Sequence, residues 1–169
     1  MSDAQGRRVF VSLGSNLGDR ALTLAEAREA LTALPGTAVI AASGLYSTAP
    51  QDLEGQPEFL NQVLCLETAL EPRDLLTECQ RIEREHGRTR ELRFGPRTLD
   101  IDILLFQGVE SQDPELTLPH PRMALRAFVL VPLAEIWDRA QEMPDLDISA
   151  LAQAAAREQA VRPYHVPEA

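Results

Sequence analysis

The stretch Leu99–Phe106 reads Leu-Asp-Ile-Asp-Ile-Leu-Leu-Phe, and it predicts a buried β-strand that carries two carboxylates. Alternate side chains of a strand share a face, so Asp100 and Asp102 project together while Leu99, Ile101 and Ile103 face a core. Two like charges on one face are unfavourable unless a cation is bound there. Mg²⁺ prefers oxygen ligands and usually takes only one or two of them from protein. The stretch therefore predicts a magnesium site, with Asp100 and Asp102 as its ligands.

Arginines are concentrated just before this strand. Six of them lie between Arg81 and Arg97, and the turn Gly95–Thr98 leads directly into the strand. Guanidinium groups bind phosphate oxygens bidentately, so their position beside paired carboxylates is typical of a metal-assisted phosphate site. A solvated surface loop followed by an edge-strand charge is the alternative. The direct connection between the arginine-bearing turn and the two aspartates favours the phosphate site.

Strand and helix signals alternate outward from this stretch in the order βαββαβ. Asp19 suits a helix N-cap, Pro72 suits the first position of a helix, and Gly87 suits a helix end. This order predicts an α+β fold, a ferredoxin-like sandwich with an antiparallel sheet and helices on one face. The predicted strands are 8–13, 37–46, 60–70 and 99–106, and the predicted helices are 19–34 and 72–87.

The whole chain, residues 1–169, is expected to form one domain, with a motif-bearing core at about 8–133 and a C-terminal extension at 144–169. After the βαββαβ core we expect additions that are less regular. They are a loop or hairpin at 107–118, short apolar segments at 119–132 and a helix at 146–160. Two loops of about a dozen residues, 47–58 and 86–98, interrupt the core, and loops of that length are often functional.

Composition excludes several classes of protein. All 16 basic residues are arginine, so a P-loop nucleotide site, a protein kinase and Schiff-base chemistry are excluded because each needs a lysine. A formal net charge of −10 argues against a nucleic-acid partner. Cys65 and Cys79 show neither metal-ligand spacing nor a secretory signal before them, and no apolar run is long enough to span a bilayer. We therefore expect a cytoplasmic monomer with reduced thiols and no membrane partner.

The residues alone leave some alternatives open. An RNA-binding module of the same fold would need aromatic and basic residues on its sheet, whereas aromatic residues are only 5% of this chain. A non-catalytic domain that binds a small molecule or nucleotide would keep a pocket without needing paired carboxylates. His120, between two prolines, suits either a positioned polar contact or a solvent-facing loop. The glycine-rich turn at 12–19 suits either a phosphate cradle or an ordinary tight turn.

Five motifs occur along the chain in a characteristic order and spacing. They are Leu13–Asn16, Tyr46–Pro50, Gln56–Asn61, Gly95–Ile103 and Leu118–Arg122. In these motifs the chain, from about residue 9 to 133, resembles the 6-hydroxymethyl-7,8-dihydropterin pyrophosphokinase family of folate biosynthesis. The resemblance implies transfer of pyrophosphate from ATP, the co-substrate, to the hydroxymethyl group of the pterin. The products would be AMP and the pterin diphosphate, and two Mg²⁺ ions would take part.

The resemblance also implies roles for individual residues. Asp100 and Asp102 resemble the Mg²⁺ ligands, and Asp100 is a candidate to accept the proton of the pterin hydroxyl. Arg88 and Arg97 resemble catalytic arginines that bind the transferring phosphates. The positions that resemble pterin contacts are Ser15, Asn16, Thr48, Ala49, Phe59, Asn61, Asp100 and Phe128. The positions that resemble ATP contacts are Gln80, Glu83, Arg90, Arg97, Ile103, Thr117, His120, Pro121 and Arg126.

Overall fold

The computed structural model describes residues 6–16, 18–48, 58–87, 99–139 and 146–166. Its regular elements are, in chain order, β1 (Arg7–Ser15), α1 (Arg20–Thr32), β2 (Thr37–Ala42), β3 (Leu45–Thr48), β4 (Phe59–Thr68), α2 (Pro72–Gly87), β5 (Asp100–Phe106), β6 (Ser111–Asp113), β7 (Leu116–Leu118), α3 (Ala127–Glu135), α4 (Ile148–Ala156) and β8 (Arg162–Tyr164). Short 3₁₀ turns at Met123–Leu125 and Trp137–Arg139 flank α3.

One six-stranded sheet contains all strands except β6 and β7. Its order is β5-β1-β4-β3-β8, with β2 also paired to β4, and every pairing is antiparallel. Between Arg7 and Phe106 the elements follow the order β1-α1-β2-β3-β4-α2-β5, which has one strand more than the predicted βαββαβ order. Strands β6 and β7 pair as a separate hairpin, which decides between the loop and the hairpin that the sequence left open there.

The prediction of one continuous strand at 37–46 was wrong. The structure divides it into β2 and β3, which both pair with β4. Between them the Ser43 hydroxyl accepts the N–H of Val63 at 3.0 Å, where a continuous ladder would use a backbone carbonyl. A register shift between Val39 and Ala41 adds a bulge within β2. The chain therefore bends along β4 before it reaches the cavity described below.

Local sequence signals set the helix ends as predicted. The Asp19 carboxylate accepts the Leu22 N–H at 3.1 Å and caps α1, while α2 begins at Pro72 and ends at Gly87. Helix α4 starts in the same way, because Asp147 accepts the N–H of Ala150 at 3.0 Å. It occupies only the middle of the predicted 146–160 helix.

Helices cover both faces of the sheet, so the prediction of helices on one face needs correction. On the first face, Val9, Val11 and Leu13 of β1 pack in one cluster with apolar residues of α1 and α2. On the second face, Phe10 packs with apolar residues of α3 and α4. Because β1 carries buried apolar residues on both of its faces, the second face of the sheet has to be covered as well. The C-terminal additions supply that second layer.

Strand β8 was not predicted. It is three residues long, lies at the edge of the sheet and pairs with β3, with Pro163 opposite Tyr46. A short strand that contains proline has no alternating pattern to reveal it, although an edge position tolerates the missing N–H. None of the helices in the described ranges has the length and apolar character needed to cross a membrane.

Candidate active site

A cavity of about 620 Å³ opens on the second face of the sheet, beside the part that α3 and α4 cover. Its lining combines strand residues, the start of α3 and a C-terminal segment. The lining residues are Ser12, Gly14, Thr48, Phe59, Asn61, Asp100, Asp102, Leu125, Arg126, Phe128, Glu158, Gln159, Ala160 and Val161. A volume of this size is in the range of cavities that bind small molecules.

The floor of the cavity is a row of residues across three adjacent strands. Gly14 of β1 pairs with Asp100 of β5 on one side and with Asn61 of β4 on the other. A Cβ atom at Gly14 would lie 3.2 Å from the Asn61 Oδ1. The glycine therefore keeps an open space between the carboxylate and the carboxamide, which a side chain would occupy.

Asp100 and Asp102 lie along β5 on the face that borders the cavity, as their spacing predicts. The apolar residues that alternate with them, Ile101 and Ile103, pack into the core on the other face. Asp100 is exposed and Asp102 is half-buried. The backbone between them is held from α2, because the Glu83 carboxylate accepts the Ile101 N–H at 2.8 Å.

This pair of carboxylates fits a Mg²⁺ site. Carboxylate oxygens are the ligands this ion prefers, and one or two suffice when water and phosphate oxygens complete the octahedron. Within the described ranges, no group of three or more His, Cys, Asp and Glu side chains is arranged to hold a metal. The arrangement therefore differs from that of a structural metal centre, which is closed by protein ligands.

Aromatic side chains border the cavity beside the Asn61 carboxamide of its floor. Asn61 is 3% exposed, and its Nδ2 donates to the Thr48 hydroxyl at 3.0 Å. Phe59 and Phe128 line the cavity from β4 and α3, and both are half-buried. The Arg126 guanidinium lies 5.5 Å from the centre of the Phe128 ring. Rings that border a cavity together with a carboxamide suit a flat heterocycle with a hydrogen-bonding edge.

His120 lies beside this site, on the loop that follows β7. Its backbone N–H donates to the Leu104 carbonyl of β5 at 2.9 Å. Burial lowers the pKa of His120, Asp102 opposes that shift, and Arg126 and Arg122 add to it. The ring Nδ1 accepts the Arg122 N–H at 3.2 Å, so the neutral ring carries its proton on Nε2.

The structure brings together five of the eight predicted pterin contacts. Thr48, Phe59, Asn61, Asp100 and Phe128 all line the cavity. Asn16 borders a smaller neighbouring cavity instead, together with Gly18, Arg20 and Glu58. Ser15 lines neither cavity and is fully buried, and strand alternation places it on the face that α1 and α2 cover. Ala49 lies outside the described residues.

The predicted ATP contacts are more dispersed. Arg126 lines the cavity, whereas Ile103 is buried in the core beneath α1 and α2. Gln80 and Pro121 are exposed, and the Thr117 hydroxyl donates to the Asp113 carbonyl at 2.9 Å. Three predicted arginines, Arg88, Arg90 and Arg97, lie outside the described residues. Glu83 and His120, two further predicted ATP contacts, both bond to the backbone of β5. Glu83 accepts the Ile101 N–H, and the His120 N–H donates to the Leu104 carbonyl.

Sequence reasoning missed seven of the residues that line the cavity, among them Leu125 beside the start of α3. Period-two alternation from Phe10 could have found Ser12 and Gly14, since both share the face of the aspartates once β1 pairs with β5. No local signal identifies the C-terminal lining. It consists of Glu158, Gln159, Ala160 and Val161.

Comparison with known proteins identifies the family of this chain. Residues 10–138 match the family model of 7,8-dihydro-6-hydroxymethylpterin-pyrophosphokinase (HPPK). The chain belongs to this family. It is 49% identical to the 2-amino-4-hydroxy-6-hydroxymethyldihydropteridine pyrophosphokinase of Methylorubrum extorquens, over 76% of this chain and 82% of that protein. It is 45% identical to the Bacillus subtilis protein of the same name, over 79% of this chain and 80% of the relative.

The fold is also similar to that of solved HPPK structures. Wild-type Plasmodium falciparum HPPK-DHPS superimposes with a TM-score of 0.66 at 14% identity, covering 92% of this chain. The chain spans 46% of that longer protein. The likeness supports a mixed α/β fold with an antiparallel sheet, and the HPPK family assignment itself follows from the sequence matches.

Proposed function

We propose that this protein transfers the pyrophosphoryl group of ATP to 6-hydroxymethyl-7,8-dihydropterin and releases AMP and the pterin diphosphate. The observation that carries the proposal is the cavity floor. There, in a chain of the HPPK family, Asp100 on β5 lies opposite the buried Asn61 carboxamide on β4 across Gly14, and Asp102 lines the same cavity two residues further along β5. Such a floor offers one side for metal-bound phosphates and another for the edge of a heterocycle.

The proposed pterin site is the Asn61 side of the cavity. Asn61 would pair with the heterocycle edge, and Phe59 and Phe128 would contact its faces. The Asn61 Nδ2 already donates to the Thr48 hydroxyl, and this hydrogen bond holds the carboxamide in one orientation. A carboxamide fixed in this way discriminates against molecules that lack the complementary edge, since its polar groups would then remain unpaired.

The proposed phosphate site is the β5 side of the cavity. Asp100 and Asp102 would hold Mg²⁺, which when bound neutralises charge on the triphosphate. Asp100, which is exposed and pairs with Gly14, would accept the proton of the pterin hydroxyl as that oxygen attacks phosphorus. Arg88, Arg90, Arg97 and Arg126 would bind phosphate oxygens. Arginine stays charged and binds bidentately, which suits a chain that has no lysine.

The direct test is AMP formation from MgATP that depends on the hydroxymethylpterin. Asp102→Asn should lower kcat by about 100-fold or more, since it removes a negative ligand from the proposed Mg²⁺ site, and the ion held there would neutralise charge on the transferring group. Asp113→Asn is the matched control, because Asp113 lies on the β6–β7 hairpin and pairs with Arg73 instead of lining the cavity.

Folding and catalysis can be separated in this test. Without Mg²⁺ the melting temperature of Asp102→Asn should equal or exceed that of the wild type, because one of two neighbouring like charges is gone. A folded Asp102→Asn enzyme with normal turnover would refute the proposed metal site. Absence of pterin-dependent AMP formation in the wild type would refute the proposed function.

A further inference from the structure

The start of α3 forms one wall of the cavity. Leu125, Arg126 and Phe128 all line it, and Leu125 is 72% exposed although it is apolar. Arg126 immediately precedes α3, and Phe128 lies in its first turn. The position of this wall relative to Asn61 and Asp100 therefore depends on how the beginning of α3 is held.

The beginning of α3 lacks a cap of its own. The first N–H groups of a helix have no partner within the helix and need one from elsewhere. Arg126, at the N-cap position, makes no side-chain capping bond. Instead, the N–H of Ala127 donates to Gln159 Oε1 at 2.9 Å, and Gln159 Nε2 donates to the Leu125 carbonyl at 2.8 Å. One carboxamide thus holds the backbone on both sides of Arg126 from a segment more than thirty residues away.

Gln159 is itself fixed from both directions. Its backbone N–H donates to the Ala155 carbonyl of α4 at 3.0 Å. On its other side, β8 pairs with β3 next to the cavity. The Arg20 guanidinium lies 5.6 Å from the Tyr164 ring centre, and that of Arg162 lies 3.7 Å from the Glu58 carboxylate. The segment is thus held by α4 at one end and by the sheet at the other.

We propose that Gln159 is a positioning residue of the active site: its carboxamide fixes the start of α3 and thereby sets where Arg126 and Phe128 meet the substrates. The identity of those substrates rests on the proposed function. The positioning role of Gln159 rests only on its hydrogen bonds and on the residues that line the cavity. Gln159 acts through its two neighbours and carries no chemical step.

The test is substitution of Gln159 by Met, which has a similar length but neither donates nor accepts at the same positions. Binding of hydroxymethylpterin alone, measured by calorimetry, should weaken about 3- to 10-fold, as expected from loss of ordinary hydrogen bonds. The KM for the pterin and for MgATP should rise by similar factors, while kcat stays within about twofold of the wild type. Hydrogen exchange of the Ala127 amide should become faster as its acceptor is lost.

Gln107→Met is the matched control. Gln107 Oε1 also accepts a backbone N–H from a distant residue, that of Arg8 at 2.7 Å, but Gln107 does not line the cavity. This variant should lose stability and keep its pterin affinity. Gln159→Glu covers the case in which Gln159→Met fails to fold, because it keeps an acceptor for Ala127 and loses the donor to Leu125. It should also weaken pterin binding, because its carboxylate cannot donate to the Leu125 carbonyl and repels that oxygen.

Unchanged pterin affinity in both Gln159 variants would overturn the proposal, as would an equal loss in Gln107→Met. In either case normal pterin-dependent AMP formation by the wild type would leave the proposed function intact. A wild type that forms no AMP would instead refute the proposed function. The calorimetric comparison would still test the positioning role of Gln159.

Discussion

Asn61 shows how a single buried polar residue can define one side of the cavity. It lies on a central strand, is 3% exposed and donates one amide hydrogen to the Thr48 hydroxyl. Its neighbour Gln62 is 4% exposed and also carries a carboxamide, which donates to the Ser43 carbonyl at 2.7 Å. Strand alternation points the two amides to opposite faces, and only Asn61 lines the cavity.

Asn61→Ala should weaken pterin binding and leave MgATP binding nearly unchanged. The expected loss is roughly 1–3 kcal/mol, the cost of leaving a buried hydrogen-bonding group unsatisfied. Calorimetry with each ligand alone measures it. Gln62→Ala, the control on the same strand, should lower the unfolding free energy without changing pterin affinity. Equal weakening of both ligands by Asn61→Ala would mean that the pterin lies elsewhere.

At the scale of elements, the two aspartates depend on the packing of α2 against β5. Glu83 of α2 accepts the Ile101 N–H, which lies between Asp100 and Asp102 on the strand. Ile82 on the same helix is buried in the core that contains Ile101 and Ile103. Helix α2 thus supplies both the apolar surface under β5 and a hydrogen-bond acceptor near the start of that strand.

Glu83→Leu should therefore raise the Mg²⁺ concentration needed for half-maximal activity and lower the unfolding free energy by about 1–3 kcal/mol. The lost bond has a charged acceptor, and the Ile101 N–H would be left without that partner. Glu83→Gln keeps an acceptor oxygen and should lie between Glu83→Leu and the wild type. Magnesium titration of activity and urea unfolding are the measurements.

Glu85→Leu is the control for this helix. Glu85 is an exposed carboxylate that pairs with Arg81 one turn away at 2.9 Å. Exposed pairs of this kind contribute only a few tenths of a kcal/mol. If Glu85→Leu changed the magnesium requirement as much as Glu83→Leu, the effect would come from the general loss of negative charge and not from the hydrogen bond between Glu83 and Ile101.

At the scale of the whole molecule, the sheet is a shared wall between two apolar layers. Cys79 lies in the layer beneath α1 and α2, and Cys65 lies in the layer beneath α3 and α4. Burial raises the pKa of Cys79 from 9.0 to about 12, and the charges of Glu83, Asp102 and Glu78 add to the shift. The folded protein therefore keeps this thiol protonated over a pH range in which the unfolded chain ionises it.

This pKa difference predicts a loss of stability in alkali. As the pH rises through 9.0 the unfolded chain releases the Cys79 proton, and the folded protein retains it until about pH 12. The free energy of unfolding should therefore fall across that window. Between about pH 8 and about pH 10 the wild type should lose roughly 1 kcal/mol more than Cys79→Ala, measured by urea unfolding. Identical losses in the two proteins would contradict the prediction.

Much of the fold could be predicted from local signals. Asp19, Pro72 and Gly87 mark helix ends through backbone chemistry that acts over one turn, and the structure confirms all three. The alternation in Leu99–Phe106 correctly assigned Ile101 and Ile103 to the core. The split between β2 and β3 could not be predicted in this way, because it depends on the contact of Ser43 with a strand that follows later in the chain.

The sequence by itself determined the family, the order of the core elements and the pair of carboxylates, since motifs and alternation are properties of contiguous residues. Only the tertiary structure decided where the cavity lies. Strands β1, β4 and β5 each change from apolar to small or polar residues on the second face, and the pairing register places those changes side by side. The residues concerned are Phe10, Ser12 and Gly14 on β1, Cys65, Val63 and Asn61 on β4, and Leu104, Asp102 and Asp100 on β5. The strand register, and the hydrogen bonds from Gln159 to the start of α3, join residues far apart in the chain, so no local pattern could reveal them.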